Sequence, residues 1–366
     1  MFSVTYHITC YQGESIEEKS RWICLEQSVE LPLKVIPDYI LKAIPGKIQQ
    51  INPITDVKWE VEIAWPLENI GDDSTQFLNV LYGNISLKRG IKVVHVEWEP
   101  LASLFNGPSF GITGVREKFN ISDRPMACAV LKPMGFSAGQ LAERATQFSA
   151  GGIDFIKDDH GLANQSYAPF DDRVRMVVEA LKDSKARDGY RAAYFPNITV
   201  SASRLQERYN QAAELGADGV MVLPDLCGYE AMQELAASPV ELPIIAHPSF
   251  SGTFVTDPAH GFTPAFLYGE LYRAFGADCT VYPNAGGRFS FSLDNCKKLN
   301  EAARNRTSPF KPMLPMPGGG MKRETIPHWM KVYGKDTIFL MGASLLQHPT
   351  GIRRASEEVR RILESG

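Results

Sequence analysis

Gly151-Gly152-Ile153-Asp154-Phe155-Ile156-Lys157-Asp158-Asp159-His160 is the stretch on which the reading of this chain turns. The apolar run from Ile153 to Ile156, entered through two glycines, predicts a short buried strand. Four ionisable side chains, Lys157, Asp158, Asp159 and His160, crowd its C-terminal end. Neighbouring carboxylates hold a lysine charged, a metal ion inverts that preference, and Asp with His is a workable ligand pair. A solvated loop after a strand would read the same from this stretch alone, so the rhythm around it decides.

From about residue 126 onward a strand, a loop and a helix follow one another repeatedly. Strands are expected at 127–131, 153–157, 192–195, 219–223, 244–247, 279–282, 313–316 and 337–341. Segments 171–184, 202–215 and 293–305 have helical period, and Gly151-Gly152, Gly216-Ala217 and Gly276-Ala277 each lead into a strand. Eight near-equal units in about 240 residues make a (β/α)8 barrel, favoured over an open doubly wound sheet. Residues 1–115 alternate differently, with period-two strands at 2–8, 59–66 and 91–96 and helical pieces at 37–44 and 75–82. They predict a small ferredoxin-like α+β domain ahead of a barrel domain spanning 126–366. The Gly-, Pro-, Asn- and Asp-rich stretch 105–125 reads as the connector.

A chain of 366 residues, 44% hydrophobic, can bury a full core in two domains. A net charge of −4 supplies no electrostatic reason to expect nucleic acid. The six cysteines are scattered without CxxC spacing and read as reduced core thiols. No secretory leader and no membrane-spanning apolar run is expected, which points to the cytoplasm.

In a barrel, chemistry sits at the C-terminal ends of the strands. Lys132 follows the first strand, Lys157 to His160 the second, Asn197 the third and Asp225 the fourth; His247 ends the fifth. Asn284-Ala285-Gly286-Gly287-Arg288 follows the sixth. Gly318-Gly319-Gly320 and Gly342-Ala343-Ser344 follow the seventh and eighth, where barrels hold a phosphate with backbone N–H groups. One glycine turn is merely a turn former. Two on neighbouring strands point to a phosphorylated small-molecule substrate held by Gly319, Gly320, Gly342 and Ala343, with Asn197 as a further polar contact.

Leu131-Lys132-Pro133 and the GG-x-DF-x-KDD string from Gly151 to Asp159 resemble the RuBisCO large-subunit superfamily. The resemblance extends to Gly83-Asn84, Met341-Gly342-Ala343, His348-Pro349 and Gly351. Against the carboxylating members, Met134 replaces a second lysine and His160 a glutamate of the metal motif. The loop after the sixth strand lacks its CO2-orienting lysine, and Pro248 stands where an arginine grips phosphate. The N-terminal motif that lends a glutamate to the partner's site is not recognisable. The chain therefore resembles a RuBisCO-like protein (form IV) that does not fix CO2.

That resemblance implies a Mg²⁺ site made by Lys157, carbamylated by CO2, with Asp159 and His160. Imidazole suits later first-row metals, so Mn²⁺ is a second option. It implies Lys132 as proton shuttle or oxyanion partner. His247 would contact a substrate hydroxyl or phosphate, a satisfied core histidine being the alternative. Asn84 would reach the partner subunit's site, so a homodimer or a multiple of dimers is expected, with no nucleic acid and no membrane. A metal enolate can lose a carboxylate, shift a proton or be cleaved by water. Decarboxylation needs no strong base and suits a site without the second lysine. The expectation is therefore decarboxylation or cleavage of a phosphorylated 3-oxo sugar acid such as 3-oxo-isoapionate 4-phosphate. The alternatives are a methionine-salvage enolase or isomerase acting on a methylthio-sugar phosphate, and a non-catalytic binding or regulatory homologue. The retained Lys132, Lys157 and Asp159 argue against the last.

Overall fold

Alternation in the first residues becomes a two-faced strand. In the computed structural model, which describes residues 1–289 and 291–365, β1 (Phe2–Thr9) buries Phe2, Val4, Tyr6 and Ile8. Ser3, Thr5 and His7 lie on its other, partly open face. β1 pairs antiparallel with β3 (Lys58–Trp65) and β4 (Ile91–Val96), while β2 (Lys47–Thr55) forms a hairpin with β3 at the sheet edge. Sequence alone did not expect β2. It is largely exposed and carries Gln49, Gln50 and Pro53, which an edge strand tolerates and which leave no apolar period to read. Helices Ile16–Glu26 and Ser74–Tyr82 share one core with the apolar face, the second capped by Asp73, which accepts the Thr75 N–H at 2.7 Å.

The strand–helix rhythm closes into the expected barrel. Its strands are β5 (Met126–Leu131), β6 (Phe155–Asp158), β7 (Ala193–Phe195), β8 (Val220–Val222) and β9 (Ile244–Ala246). β11 (Cys279–Pro283), β12 (Leu314–Gly318) and β13 (Ile338–Met341) complete it, all parallel. The sheet order β7-β6-β5-β13-β12-β11-β9-β8 closes where Met221 N–H donates to Pro196 O (2.9 Å) and Ile198 N–H to Met221 O (3.0 Å). β10 (Gly261–Phe262), in the loop after β9, leaves the barrel and pairs with β4, tying the two sheets together. Among the described residues no helix is long and apolar enough to cross a membrane.

Two packed layers follow from period two. Cys128, Phe155, Phe195, Ile245, Val281 and Leu340 fill the barrel interior; Ile156, Val222 and Ala246 point outward to the helix ring. The stretch 105–125, expected as a connector, contains a helix, Gly111–Phe119. It contributes Val115, and Phe119 packs edge-on against Phe155, so it joins the interior core. Its glycines and polar residues hid it.

The Gly-Gly-x-Asp and Gly-Ala-Asp runs have one shared purpose. Gly152, Gly216 and Gly276 all take positive φ, which ends a helix at little cost only for glycine. Each following aspartate accepts a backbone N–H from a neighbouring strand at 2.9 Å: Asp154 from Ala127, Asp218 from Tyr194, Asp278 from Ile244. Asp154 is further clamped by Arg124 and Arg360. The motif thus pins strand register at the end opposite the candidate site.

Candidate active site

Period two also selects the side chains that reach the barrel mouth. Phe155 points into the interior, so Lys157 and Asp159 point inward above it, whereas Ile156 and Asp158 point outward. The same parity runs from Cys128 and Val130 to Lys132, and from Ile245 to His247. Lys132, Lys157, Asp159, His160 and His247 converge. Lys132 Nζ is 2.9 Å from Asp159 Oδ2, His160 Nδ1 is 3.5 Å from Asp159 Oδ1, and the two imidazole rings stack.

Lys157 is 2% exposed, and among the described residues its ammonium bonds the Asp158 carbonyl at 3.0 Å and Met221 Sδ at 3.3 Å. Burial lowers its pKa, so the neutral, nucleophilic amine is easier to reach than on a surface lysine. Burial would raise Asp159, but the Gly161 N–H at 2.9 Å and the Lys132 ammonium outweigh it and hold the carboxyl below its ordinary range. Burial, Lys157 and Lys132 together push His160 down, and burial with Lys157, His160 and Lys132 pushes His247 well down. Both imidazoles are therefore neutral near pH 7. Ser249 N–H donates to His247 Nδ1 at 3.2 Å, which leaves the ring hydrogen on Nε2.

Asp158 belongs to the scaffold. Its oxygens accept from Tyr194 OH (2.7 Å), Arg173 Nε (3.1 Å) and Asn197 N–H (2.9 Å). Arg173 and Tyr194 went unremarked in the sequence, and only their burial behind Asp158 reveals their work. Asn197, expected to contact substrate, is bonded to the loop that follows β6. Its amide donates to His160 O (3.0 Å) and Leu162 O (2.9 Å), and its Oδ1 accepts from Thr199 N–H (3.1 Å). With both N–H donors spent it holds the 160–162 loop and is a positioning residue. Met134, where the lysine is lost, lies over Gly161, since a Cβ there would meet Met134 Sδ at 2.4 Å.

Gly319 (φ +86°) and Gly320 (φ +75°) adopt a conformation suited to glycine, and Gly318 pairs with Leu340 on the neighbouring strand. The 318–320 turn and the Gly342-Ala343 turn therefore lie side by side. A Cβ added at Gly319 or Gly342 would meet nothing within 4 Å, so the space above both turns is open. Asn84 is not brought to this cluster within the chain. It is exposed on the N-terminal unit, where its amide bonds Glu26 (3.2 Å) and Glu30 (3.0 Å).

The residues present fit a divalent cation with one reservation of chemistry. Among the described residues no group of three His, Cys, Asp or Glu could hold a metal unaided. A third ligand beside Asp159 and His160, and the second anionic one, must come from elsewhere. A carbamate on the buried Lys157 amine would provide it.

A parallel barrel with paired lysine and carboxylate at its mouth and open glycine turns beside them defines a TIM-barrel enzyme class. Residues 111–288 match the family described as ribulose bisphosphate carboxylase large chain, catalytic domain. The chain is 34% identical to 5-methylthioribulose-1-phosphate isomerase of Rhodospirillum rubrum, over 94% of this chain and 91% of that one. It is 30% identical to 2,3-diketo-5-methylthiopentyl-1-phosphate enolase of Bacillus pumilus, over 99% and 91%. The crystal structure of a RuBisCO-like protein from Rhodopseudomonas palustris superimposes with a TM-score of 0.89 at 30% identity, covering 100% of this chain and 97% of that one. The chain belongs to the RuBisCO large-chain superfamily and is an enzyme of its RuBisCO-like, non-carboxylating branch.

Proposed function

We propose that the chain catalyses proton transfer next to the carbonyl of a phosphorylated methylthio-sugar, as an isomerase or enolase of methionine salvage. The observation that carries this is the Lys132–Asp159 contact at 2.9 Å beside two neutral imidazoles. A lysine that has shed its proton can take one from carbon and return it at the neighbouring carbon, while an Nε2–H donor steadies the carbonyl oxygen. The relatives named above support this reading over decarboxylation of a 3-oxo sugar acid, the expectation from sequence. Decarboxylation would leave the second proton carrier without work.

In this reading Lys132 as the free amine takes the proton from the carbon beside the carbonyl, and the ammonium so formed, held by Asp159, returns it to the next carbon. His247 donates from Nε2 to the carbonyl oxygen. The turns at Gly319-Gly320 and Gly342-Ala343 bind the substrate phosphate through backbone N–H groups. Carbamylated Lys157, Asp159 and His160 would hold Mg²⁺ or Mn²⁺, which would supply Lewis acidity to the site. Asn84 of one protomer serves the other's site in a homodimer, and exposed Leu31, Leu33, Val35 and Tyr39 on the same unit suit burial there.

The test follows 5-methylthioribulose 1-phosphate, the 2,3-diketo-5-methylthiopentyl phosphate and a 3-oxo sugar-acid phosphate by NMR in D2O with Mg²⁺ or Mn²⁺ and bicarbonate. Deuterium entry or isomerisation of a methylthio substrate, lost in Lys132→Ala, is expected. Release of CO2 from the sugar acid with no exchange into the methylthio compounds would overturn the assignment.

A further inference from the structure

Away from the barrel mouth, the polar face of the N-terminal sheet looks onto the barrel's flank across a cleft of about 730 Å³. Such a volume is in the range of small-molecule sites. One wall is sheet: His7 on β1, Lys58 on β3 and Lys92 on β4. The other is the loop after β9 and the start of the helix Leu293–Arg304, which presents Asn295 and Lys298.

Lysines outnumber carboxylates three to one on the lining of this cleft. Lys58 and Lys92 form no ion pair among the described residues. Lys92 spends its visible bonds on the carbonyls of Asp257 and His260. Asp257 is the lining carboxylate, and it accepts the Ala259 N–H at 2.7 Å. Glu60 lies 3.5 Å from His7 and Asp294 lies 2.8 Å from Lys298, both toward solvent. The cations disturb one another: after burial, Lys58 is the largest influence lowering His7, and Lys298 lowers it further. Burial brings Lys92 to about 8; Asp257 opposes the shift and Lys58 adds a smaller push in the same direction as burial. Lys298 is paired with Asp294 and Asp257 acts on Lys92, so the surplus positive charge of the cleft comes from Lys58 and Lys92. The helix N-terminus, capped by Ser292, adds to it. Val255, Pro264 and Phe291 supply an apolar wall for the body of a ligand.

We propose that this cleft is a second anion site, taking a small phosphorylated metabolite whose phosphate lies among Lys58, Lys92 and Lys298. The loops that line it begin at His247 and Asn284 on the barrel rim, so occupancy is placed to bias the catalytic loops. The proposal is independent of the reaction assigned above.

The test is calorimetric titration of the full chain with ribose 5-phosphate and with inorganic pyrophosphate at low salt. A Lys132→Ala/Gly342→Leu background removes the barrel mouth's cation and fills the open space above its phosphate turn. Binding should persist there and weaken at least about tenfold on adding Lys58→Met and Lys298→Met, the loss of one charge-assisted contact. Circular dichroism checks folding, and the single exposed Lys298→Met serves if the double change unfolds the chain. Unchanged affinity after the lysine substitutions would overturn the proposal. So would a loss of dimer on making them, which would mean that a second copy fills the cleft.

Discussion

The ring of His160 lies 4.9 Å from the ring of His247, with their planes 13° apart. The stack joins the ends of β6 and β9 across the barrel mouth and leaves two neutral nitrogen donors beside Asp159. Nitrogen in a ligand set otherwise made of oxygens favours later first-row metals over Mg²⁺. Competitive titration followed by Mn²⁺ EPR should show Mn²⁺ preferred. His160→Glu should shift that preference toward Mg²⁺ by at least about tenfold, the size of effect even outer partners exert. An unaltered preference would remove His160 from the ligand set.

Lys132 is half-exposed and its partner Asp159 is buried, so the lysine can go without unfolding the site. Lys132→Ala should lower kcat by roughly 10² to 10⁴, the span of general acid–base catalysis, with little change in metal affinity. Stopped assays beside Mn²⁺ titration separate the two. A matching loss of metal binding would make Lys132 structural.

Asn84 stands apart from the barrel cluster of its own chain. Asn84→Ala and Lys157→Ala should each be nearly inactive, yet mixing and refolding the two should restore part of the activity, because mixed dimers hold one site with both residues intact. Absence of any recovery in verified mixed dimers would tell against a shared site.

Asn197 satisfies two buried loop carbonyls and one N–H. Asn197→Ala strands them, at a cost of about 1 to 3 kcal/mol in urea unfolding. If Asn197 only positions the loop, KM for the phosphorylated substrate should change less than kcat.

Burial holds Lys92 at about 8, below its ordinary 10.5. Between those pH values the folded chain has released a proton that the unfolded chain still binds, so stability rises with pH through that window. The full rise amounts to about 3 kcal/mol. Lys92→Met should flatten it in urea unfolding at pH 7.5, 9 and 10. An identical slope in wild type and variant would show that Lys92 titrates normally.

Much of this was legible in the residues themselves. The repeated strand–helix units, with glycines ahead of three of them, specify the barrel because burial on both strand faces and positive φ at helix ends leave local marks. Inward parity likewise separates Asp159 from Asp158 once Phe155 is known to face the barrel interior. The edge strand Lys47–Thr55 and the helix Gly111–Phe119 were not legible, since one is polar and the other sits among turn formers.

Sequence by itself determined the barrel and the Lys157–His160 cluster after its second strand. Only the tertiary structure decided that Asn197 is consumed by the 160–162 loop, that His160 stacks on His247, and that Lys58, Lys92 and Lys298 share a cleft. Strand period and helix ends are set by neighbours in the chain. These pairings join residues tens to hundreds of positions apart, and their distances exist only once the barrel closes.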